Sequence, residues 1–376
     1  MERRKFLGAV PLVIGGSLAM VSSESSAQTQ ASTIWTNVKD FGATGNGVTD
    51  DTAAIQAAIS SLQQNNDYRG GVLYFPAGQY ICSATLAFTS YATGDVHNII
   101  VRGDGPQCTY LDFTAASSGS AGLTFNFGAQ FGVEDIMING APGDGVLVGA
   151  GNTVGGSTYC SLFTIRNVRV QNCGNNGFAF INAYMGTVEE CWSTGNNGIG
   201  FLFNGYHTSI KASRCWASNN TGIGWSLNGM TYSSFISCGA DNNLWGYAMT
   251  NMVGIAFVSC GAESNKNDGW LMETSTSSTT GLPSEVVDIH GMTFTSCSSY
   301  FNSQAGENAY ASHIAALATN NRPIEFKMSG NTSFCNTGSS VSMVLNATSG
   351  PITVYDELSY FNGSWVTSGT VTHKTF

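Results

Sequence analysis

The stretch that decides the fold is "CGADNNLWGYAMTNMVGIAFVSCGAESNKNDGW", residues 238–270, because it contains nearly the same unit twice. Cys238 and Cys260 each begin a Cys-Gly-Ala-acid sequence, and an asparagine follows five residues after each cysteine. The two units are 22 residues apart. A repeat of this length, built from short β-like runs and Asn/Gly turns, predicts strands that stack on their own copies.

The same unit recurs through the middle of the chain. Cysteines close short β-like runs at intervals of 18, 24, 23, 22 and 37 residues, at Cys173, Cys191, Cys215, Cys238, Cys260 and Cys297. Asparagines follow five positions after the last five of these, at Asn196, Asn220, Asn243, Asn265 and Asn302. This repeat predicts a β-solenoid whose rungs stack about 4.8 Å apart. Stacking places the cysteines in a column of inward free thiols and the asparagines in a hydrogen-bonded ladder. Leucine-rich repeats share the period, but the leucines and long helices they need are missing.

Composition limits the classes of function. The chain has 376 residues, of which 42% are hydrophobic, 10% are charged and 46 are glycines, so it predicts a folded, turn-rich protein. Its net charge of −10 disfavours nucleic acid and anionic lipid as partners. The same charge weakly disfavours a polyanionic substrate unless a local basic patch overrides it.

Residues 1–27 have the pattern of an export signal. Arg3-Arg4 precede Phe6-Leu7 and an apolar run to about Val21, and small residues at 25–27 suit a signal peptidase. This resembles a bacterial twin-arginine signal, with an ordinary secretory signal as the alternative. A membrane anchor is not expected because the apolar run is short and broken by proline and glycine. The mature chain, from about Gln28, is therefore expected to be secreted or periplasmic and free of the membrane.

The segment before the repeats resembles a known family. It reads "NVKDFGATGNGVTDDTAAIQAAISSL" at 37–62 and "GGVLYFPAGQYI" at 70–81, which is similar to the opening of the pectate lyase superfamily. That group includes polysaccharide lyases, glycoside hydrolases, uronan epimerases and phage tailspikes. The resemblance implies an all-β, single-stranded, right-handed parallel β-helix, and it identifies the fold better than the reaction.

The opening motif predicts an N-terminal capping helix. Thr49 or Asp50 can cap a helix whose apolar face covers the first rung, through Ile55, Ala58, Ile59 and Leu62. Asp50 and Asp51 are interpreted as caps rather than catalytic residues. We expect the cap and coil to occupy 28–302. Residues 303–376 are expected to close the far end or to contact a partner chain, which leaves a homo-oligomer open.

Outward-facing positions next to the cysteines predict a carbohydrate site. If each cysteine points inward, the residues one and three positions later face solvent. The residues one position after the cysteines form a column of Trp192, Trp216, Gly239, Gly261 and Ser298. The residues three positions after them form a second column of Thr194, Ser218, Asp241, Glu263 and Tyr300. Exposed tryptophans suit the apolar faces of sugars, glycines leave room for a ring, and Asp241 and Glu263 are placed for the two-carboxylate chemistry of a glycosidase. The alternative is that these are ordinary surface residues.

A basic cluster offers a different chemistry. Tyr206, His207, Lys211 and Arg214 are predicted to lie on a strand above Glu189 and Glu190 of the previous rung. A polysaccharide lyase needs a base beside a uronate carboxylate and a cation for the developing charge, and these side chains can supply both. Cross-rung ion pairs are the alternative.

Missing signatures limit the assignment. The Gly-His-Gly and Arg-Ile-Lys signatures of polygalacturonases and the arginine motif of the best-known pectate lyases are absent, as is metal-ligand spacing. We therefore predict an enzyme without metal or cofactor that cleaves the glycosidic bonds of a polysaccharide, and hydrolysis is favoured over elimination. A non-enzymatic glycan-binding module of tailspike type is the third hypothesis. A polar insertion at Glu273–Val286 is expected to overhang the groove near Glu263.

Overall fold

The chain forms a coil of parallel strands in a computed structural model. The structure describes residues 35–63, 70–88, 96–126, 128–149, 160–274, 288–302, 312–318, 321–334, 341–361 and 364–376. Every strand pairing among them is parallel, and strands two or more positions apart in the chain pair with each other, as expected when each turn of the coil lies on the previous one. The β-solenoid predicted from the repeat and the all-β parallel β-helix implied by the resemblance are therefore confirmed.

The strands are mostly three to nine residues long, and the longest ones lie at the C-terminal end. The strands are Trp35–Asn37, Asn46–Asp50, Gly71–Phe75, Gly78–Ile81, Leu86–Phe88, Val96–His97, Ile99–Gly103, Thr109–Asp112, Leu123–Phe125, Gly128–Ala129, Gly132–Asn139, Val146–Val148, Cys160–Ser161, Thr164–Gln171, Phe178–Ile181, Ala183–Tyr184, Thr187–Glu189, Trp192–Thr194, Phe201–Asn204, His207–Thr208, Lys211–Ser213, Trp216–Ser218, Ile223–Thr231, Ser234–Ile236, Gly239–Asp241, Trp245–Val253, Ala256–Val258, Gly261–Glu263, Trp270–Glu273, Ile289–Thr295, Ser298–Tyr300, Ser312–Leu317, Ile324–Ser329, Thr332–Phe334, Val341–Glu357, Tyr360–Phe361 and Ser364–Thr375. A short 3₁₀ helix covers Val38–Phe41.

The α-helix Thr52–Gln63 lies beside the first coil. The four apolar residues predicted to share one face of this helix are all buried. Asp50 accepts hydrogen bonds from the Ser83 hydroxyl and from the Thr52 hydroxyl and amide, and these bonds lower the pKa of Asp50 to about 2. Asp51 is buried and accepts bonds from Thr44 and Gly45. Both aspartates are therefore engaged in structural hydrogen bonds. In the described part of the chain, no helix combines the length and apolar character that a membrane crossing requires.

The predicted column of inward cysteines is present from Cys191 onward. The Cys238 amide donates to Cys260 Sγ at 3.4 Å, and that thiol donates to the carbonyl of Phe235 at 3.3 Å. The nine cysteines in the described residues are free thiols, and burial raises the pKa of Cys260 to about 12. Cys173 was wrongly included in this column. Its amide donates to Asn196 Oδ1, so it occupies the asparagine position of its rung, which explains the odd interval of 18 residues.

The asparagine ladder predicted from the repeat is also present. The side-chain amides of the first four members each donate to the Oδ1 of the asparagine one rung later, at 2.9, 2.9, 3.3 and 2.7 Å along the series. The same Oδ1 accepts the backbone N–H of the earlier asparagine. These side chains are buried, so the ladder satisfies polar groups that water cannot reach. The members are Asn196, Asn220, Asn243, Asn265 and Asn302.

Buried aromatic rings also stack inside the coil. A continuous stack runs along the coil with centroid separations of 4.8, 4.0, 6.1 and 4.0 Å and nearly parallel planes. Stacking of this kind brings rings placed one rung apart into contact. The rings of this stack belong to Phe178, Phe201, Trp225, Tyr247 and Trp270.

Sharp corners separate the strands of each rung. The residue just before each cysteine of the column has a positive φ near 50–55°, as in Arg214 and Ser237, and a second such residue follows the cysteine strand, as in Asn219 and Asn242. A left-handed residue interrupts the extended backbone, so the inward and outward alternation of side chains restarts after each corner.

The coil continues beyond residue 302. Trp270–Glu273 pairs with Ser312–Leu317, which pairs with Val341–Glu357, and this long strand pairs with Ser364–Thr375. Most side chains of the last strand are exposed. The parallel stack therefore persists after the Cys/Asn register is lost.

Cys238→Ala and Cys260→Ala are each expected to lower the free energy of unfolding by about 1 to 2 kcal/mol, because each leaves a small cavity in the column. Urea unfolding with and without reductant measures this. A large loss of stability when reductant is added to the parent protein would contradict the free-thiol column.

Candidate functional site

The predicted outward columns lie in register on one surface of the coil. We call this surface the site face. It comprises the outward side chains of Trp192–Thr194, Trp216–Ser218, Gly239–Asp241, Gly261–Glu263 and Ser298–Tyr300. Trp192 pairs with Trp216, which pairs with Gly239, and the middle residues of these strands are buried. Both tryptophans are exposed, keeping 45% and 41% of their surface.

The two tryptophans lean toward the C-terminal rungs. Trp192 Nε1 donates to Ser218 Oγ at 3.1 Å, which is a residue of the next rung. The Trp216 ring lies over Gly239, since a Cβ built at Gly239 would be 2.4 Å from Trp216 Cε3. The expectation that Gly239 leaves room for a sugar ring is therefore wrong, because Trp216 fills that space.

Gly261 is the open position of the site face. A Cβ there would meet Ser298 Oγ at 3.2 Å and nothing else within 4 Å. Trp216 covers the preceding rung, and Ser298 follows on the next one. The open position at Gly261 therefore lies between the Trp216 ring on the preceding rung and the Ser298 hydroxyl on the following rung.

The acidic pair, Asp241 and Glu263, lies beside the open position at Gly261. Asp241 pairs with Glu263, and Glu263 pairs with Tyr300 one rung further on. Burial, and secondly the nearby Glu263 carboxylate, raise the pKa of Asp241 above its ordinary value. Glu263 is exposed. The Tyr300 hydroxyl lies 3.2 Å from Thr332 Oγ1. The site face thus presents a partly buried carboxyl with a raised pKa next to an exposed one.

Gly239→Ala is expected to lower the free energy of unfolding by about 1 to 3 kcal/mol, because the added methyl group displaces the Trp216 ring. Gly261→Ala is the matched control, and its cost is expected to stay within about 0.5 kcal/mol. Urea unfolding of both variants measures the difference. Equal stability of the two variants would contradict the position of Trp216.

His207 was wrongly predicted as a substrate-binding residue. It is fully buried, its Nδ1 accepts a hydrogen bond from the Ala183 amide at 3.2 Å, and its ring contacts Phe203 edge to face. Burial lowers the pKa of His207 to about 4. The corner at Ser209 separates it from Lys211–Ser213, so it does not lie on the same strand as Lys211.

The other two basic residues of that cluster form cross-rung ion pairs. Lys211 Nζ lies 3.1 Å from Glu189 Oε1, and Arg214 Nη2 lies 2.8 Å from Glu190 Oε1. The hydrogen bond from Lys211 lowers the pKa of Glu189. These pairs occupy a different surface from the site face, so Lys211 and Arg214 do not meet Asp241 or Glu263 there. The structure favours the ion-pair alternative over the lyase cluster.

Two further expectations lie wholly or mostly outside the described residues. The export signal at 1–27 is one, and most of the insertion at Glu273–Val286 is the other, since 275–287 are not described. Among the described residues, no group of three or more His, Cys, Asp or Glu side chains is arranged to hold a metal ion.

Arg169 extends the tryptophan column of the site face by one rung, and the repeat pattern missed it. It pairs with Trp192, and its guanidinium carbon lies 5.2 Å from the centre of that ring. The unit that contains Arg169 was aligned through Cys173, which is out of register, so Arg169 was not placed in the tryptophan column. Pairing the "VRV" run at 168–170 with "CWS" at 191–193 would have found it.

Comparisons with known proteins assign the family. The family model described as Rhamnogalacturonase A/epimerase, pectate lyase-like matches residues 35–264. Since this match covers more than half of the chain, the protein belongs to that family. The predicted relationship to the pectate lyase superfamily is confirmed.

Individual relatives are similar over shorter or more divergent regions. A 44-residue stretch is 61% identical to mannuronan C5-epimerase AlgE1 of Azotobacter vinelandii, which is 12% of this chain and 3% of that protein. The A-module of mannuronan C-5 epimerase AlgE4 from the same organism superposes with a TM-score of 0.59 at 17% identity, covering 91% of this chain and 99% of that one. The gp42 tailspike of Acinetobacter phage vb_AbaP_AS12 gives 0.63 at 13% identity, covering 91% and 62%. At these identities the two structures support the shared fold.

Proposed function

We propose that this protein is a carbohydrate-active enzyme that hydrolyses glycosidic bonds of a polysaccharide at Asp241 and Glu263. The observation that carries the proposal is the placement of the two carboxyl groups on adjacent rungs, with the pKa of Asp241 raised by burial and by Glu263. A rung spacing of about 4.8 Å is close to the roughly 5 to 5.5 Å between the carboxyl groups of retaining glycosidases.

The two carboxyl groups take different roles because their surroundings differ. Asp241, whose pKa is raised by burial and by Glu263, is the carboxyl that donates a proton to the glycosidic oxygen. Glu263, which is exposed, attacks the anomeric carbon and forms a glycosyl-enzyme. Asp241 then removes a proton from the water that hydrolyses this intermediate. The sequence of steps requires no metal or organic cofactor.

The surroundings of the acids support binding of a polysaccharide. The Trp216 ring offers an apolar face to sugar C–H groups, and the open position at Gly261 accommodates a sugar ring beside Glu263. Trp192 extends the aromatic surface one rung away, and Tyr300 borders the acids on the other side. The substrate chain is proposed to lie along the coil axis, so that successive sugars contact successive rungs.

Elimination is supported less well than hydrolysis. The AlgE proteins are named for epimerisation of mannuronan, and removal of a proton beside a uronate carboxylate needs a base near a cation. Lys211 and Arg214 are each paired with a glutamate, and His207 is buried. These three side chains are therefore poor candidates for a lyase or epimerase site.

The remaining features belong to the same proposal. The coil is proposed to be right-handed, with Thr52–Gln63 as its N-terminal cap and residues 303–376 as its closing coils. The segment 1–27 is proposed to direct export, so that the enzyme meets its polysaccharide outside the cytoplasm.

A panel of polysaccharides tests the proposed activity. Each is incubated with the protein and assayed in parallel for new reducing ends and for the ultraviolet absorbance of unsaturated uronate. We expect reducing ends without that absorbance. Both signals together would identify a lyase instead, and the absence of both would favour the glycan-binding module of tailspike type.

A further inference from the structure

Ser218 lies next to the proposed acid of the reaction but does not bond to it. It pairs with Asp241 of the following rung, and both side chains belong to the same column of the site face. Ser218 is buried, so its hydroxyl depends on partners within the protein. Among the described residues, the Asn242 backbone N–H is the donor that acts on the Asp241 carboxyl, and no side-chain donor does so. The Ser218 hydroxyl is therefore turned away from Asp241.

Two side chains of the preceding rung hold this hydroxyl. Ser218 Oγ donates to Thr194 Oγ1 at 3.1 Å, and it accepts the Trp192 Nε1–H at the same distance. A serine hydroxyl carries a single proton, which the bond to Thr194 uses. The Trp192 ring is itself restrained by Arg169, whose guanidinium carbon lies 5.2 Å from the ring centre. Both partners belong to the preceding rung, so both bonds lie on the side of Ser218 away from Asp241.

A second serine shows the effect of the opposite arrangement. Ser213 pairs with Glu189 of the adjacent rung, and its hydroxyl donates to Glu189 Oε1 at 3.1 Å. The hydrogen bond from Lys211, and with it the bond from Ser213, lower the pKa of Glu189. The pKa of Asp241, by contrast, is raised by burial and by Glu263. A serine one rung from a carboxylate is thus within reach of it, and its proton stabilises the ionised form.

The direction of the Ser218 hydroxyl bears on catalysis because a general acid works only while it is protonated. Ser218 and Glu263 flank Asp241 on the two strands that pair with its own, and Glu263 is the charged group that acts on it. A bond from Ser218 would stabilise the ionised carboxyl and oppose the effect of Glu263.

We propose that Thr194 and Trp192 are positioning residues for the proposed acid, because they direct the single proton of the neighbouring serine away from its carboxyl. This inference rests on the proposed function of Asp241. It gives Trp192 a second role beside its contact with sugar, and it gives Thr194 a role that its place in the column alone does not reveal.

Carbon-13 NMR titration of carboxyl-labelled aspartate and glutamate tests the inference, with Asp241→Asn used to assign the Asp241 signal. Ser218→Ala is expected to leave the titration midpoint of Asp241 within about 0.3 pH unit of the parent, because the hydroxyl does not contact it. Trp192→Phe combined with Thr194→Val removes both partners of the hydroxyl. This pair should lower the midpoint by about one pH unit, as one charge-assisted hydrogen bond allows. Adding Ser218→Ala to the pair should restore it.

Ser213→Ala is the matched control, and it should raise the midpoint of Glu189 because that hydroxyl does bond to the carboxylate. A raised Asp241 midpoint in Ser218→Ala would show that the hydroxyl already donates to Asp241, and it would overturn the inference. A midpoint that the Trp192/Thr194 pair leaves unchanged, or that Ser218→Ala does not restore, would overturn it as well.

The titrations need no turnover, so they are separate from the test of the hydrolase site. Activity that survives Asp241→Asn overturns the proposed acid, whereas the midpoints decide the direction of the hydroxyl. In the active enzyme, kcat/KM falls as pH rises through the pKa of the acid. The Trp192→Phe/Thr194→Val pair should therefore move this alkaline limb about one pH unit lower, and Ser218→Ala should return it. An alkaline limb that stays in place while the midpoint moves would contradict a positioning role in the reaction.

Discussion

Asp241→Asn and Glu263→Gln are each expected to lower the rate of polysaccharide hydrolysis by at least about a hundredfold while the protein stays folded. The amides preserve size and most hydrogen bonding, but they can neither donate the acid proton nor attack the anomeric carbon. Stability is expected to rise slightly, because two like charges on adjacent rungs are relieved. Initial rates at several substrate concentrations, together with urea unfolding, measure both effects.

Two sets of controls accompany these variants. Glu325→Gln removes an exposed carboxylate outside the site face and should leave the rate unchanged. Lys211→Ala and Arg214→Ala remove the cross-rung ion pairs and should also retain activity. If the last two abolish activity while the carboxylate variants remain near wild type, the hydrolase site is wrong and the basic surface is the catalytic one.

The second large effect concerns acid stability and depends on His207. Its pKa is about 4 in the folded protein and 6.5 as an ordinary histidine, because burial disfavours the charged ring. As pH falls through 6.5, His207 binds a proton in the unfolded chain but stays neutral in the folded protein. Its contribution to the free energy of unfolding is therefore fully present above pH 6.5 and is lost as the pH falls toward 4. The loss between about pH 7 and pH 4.5 is expected to be about 2 to 3 kcal/mol from this residue.

Urea unfolding at several pH values isolates the contribution of His207. His207→Gln keeps an acceptor for the Ala183 amide but does not titrate, so the acid-dependent loss should shrink by about 2 to 3 kcal/mol. His290→Gln replaces an exposed histidine and should retain the full loss. An unchanged pH dependence in His207→Gln would contradict a neutral, buried imidazole.

The columns of the coil could be predicted from the sequence because stacking imposes one period on every rung. Cys238 and Cys260 fix the inward position, and Trp216 and Asp241 then fall on the outward ones. The asparagine ladder follows from the same register. The period alone carries this information, so no knowledge of side-chain conformation was needed.

The errors arose where the register or the side-chain direction changes. Counting along a strand failed at His207, because the left-handed residue Ser209 lies between it and Lys211. The cysteine pattern failed at Cys173, which occupies an asparagine position. Sequence also cannot tell whether a tryptophan stands up from the sheet or leans along it, and Trp216 leans over Gly239.

The most direct test of the proposed mechanism is a proton NMR time course of the first product formed from a polysaccharide that the protein degrades. Carboxyl groups on adjacent rungs predict a new reducing end that first appears with the anomeric configuration of the substrate, before mutarotation, and with no vinyl proton. Inversion of the anomeric centre would contradict Glu263 as the nucleophile. A vinyl signal from an unsaturated uronate, or a change of sugar configuration without cleavage, would contradict hydrolysis at Asp241 and Glu263 altogether.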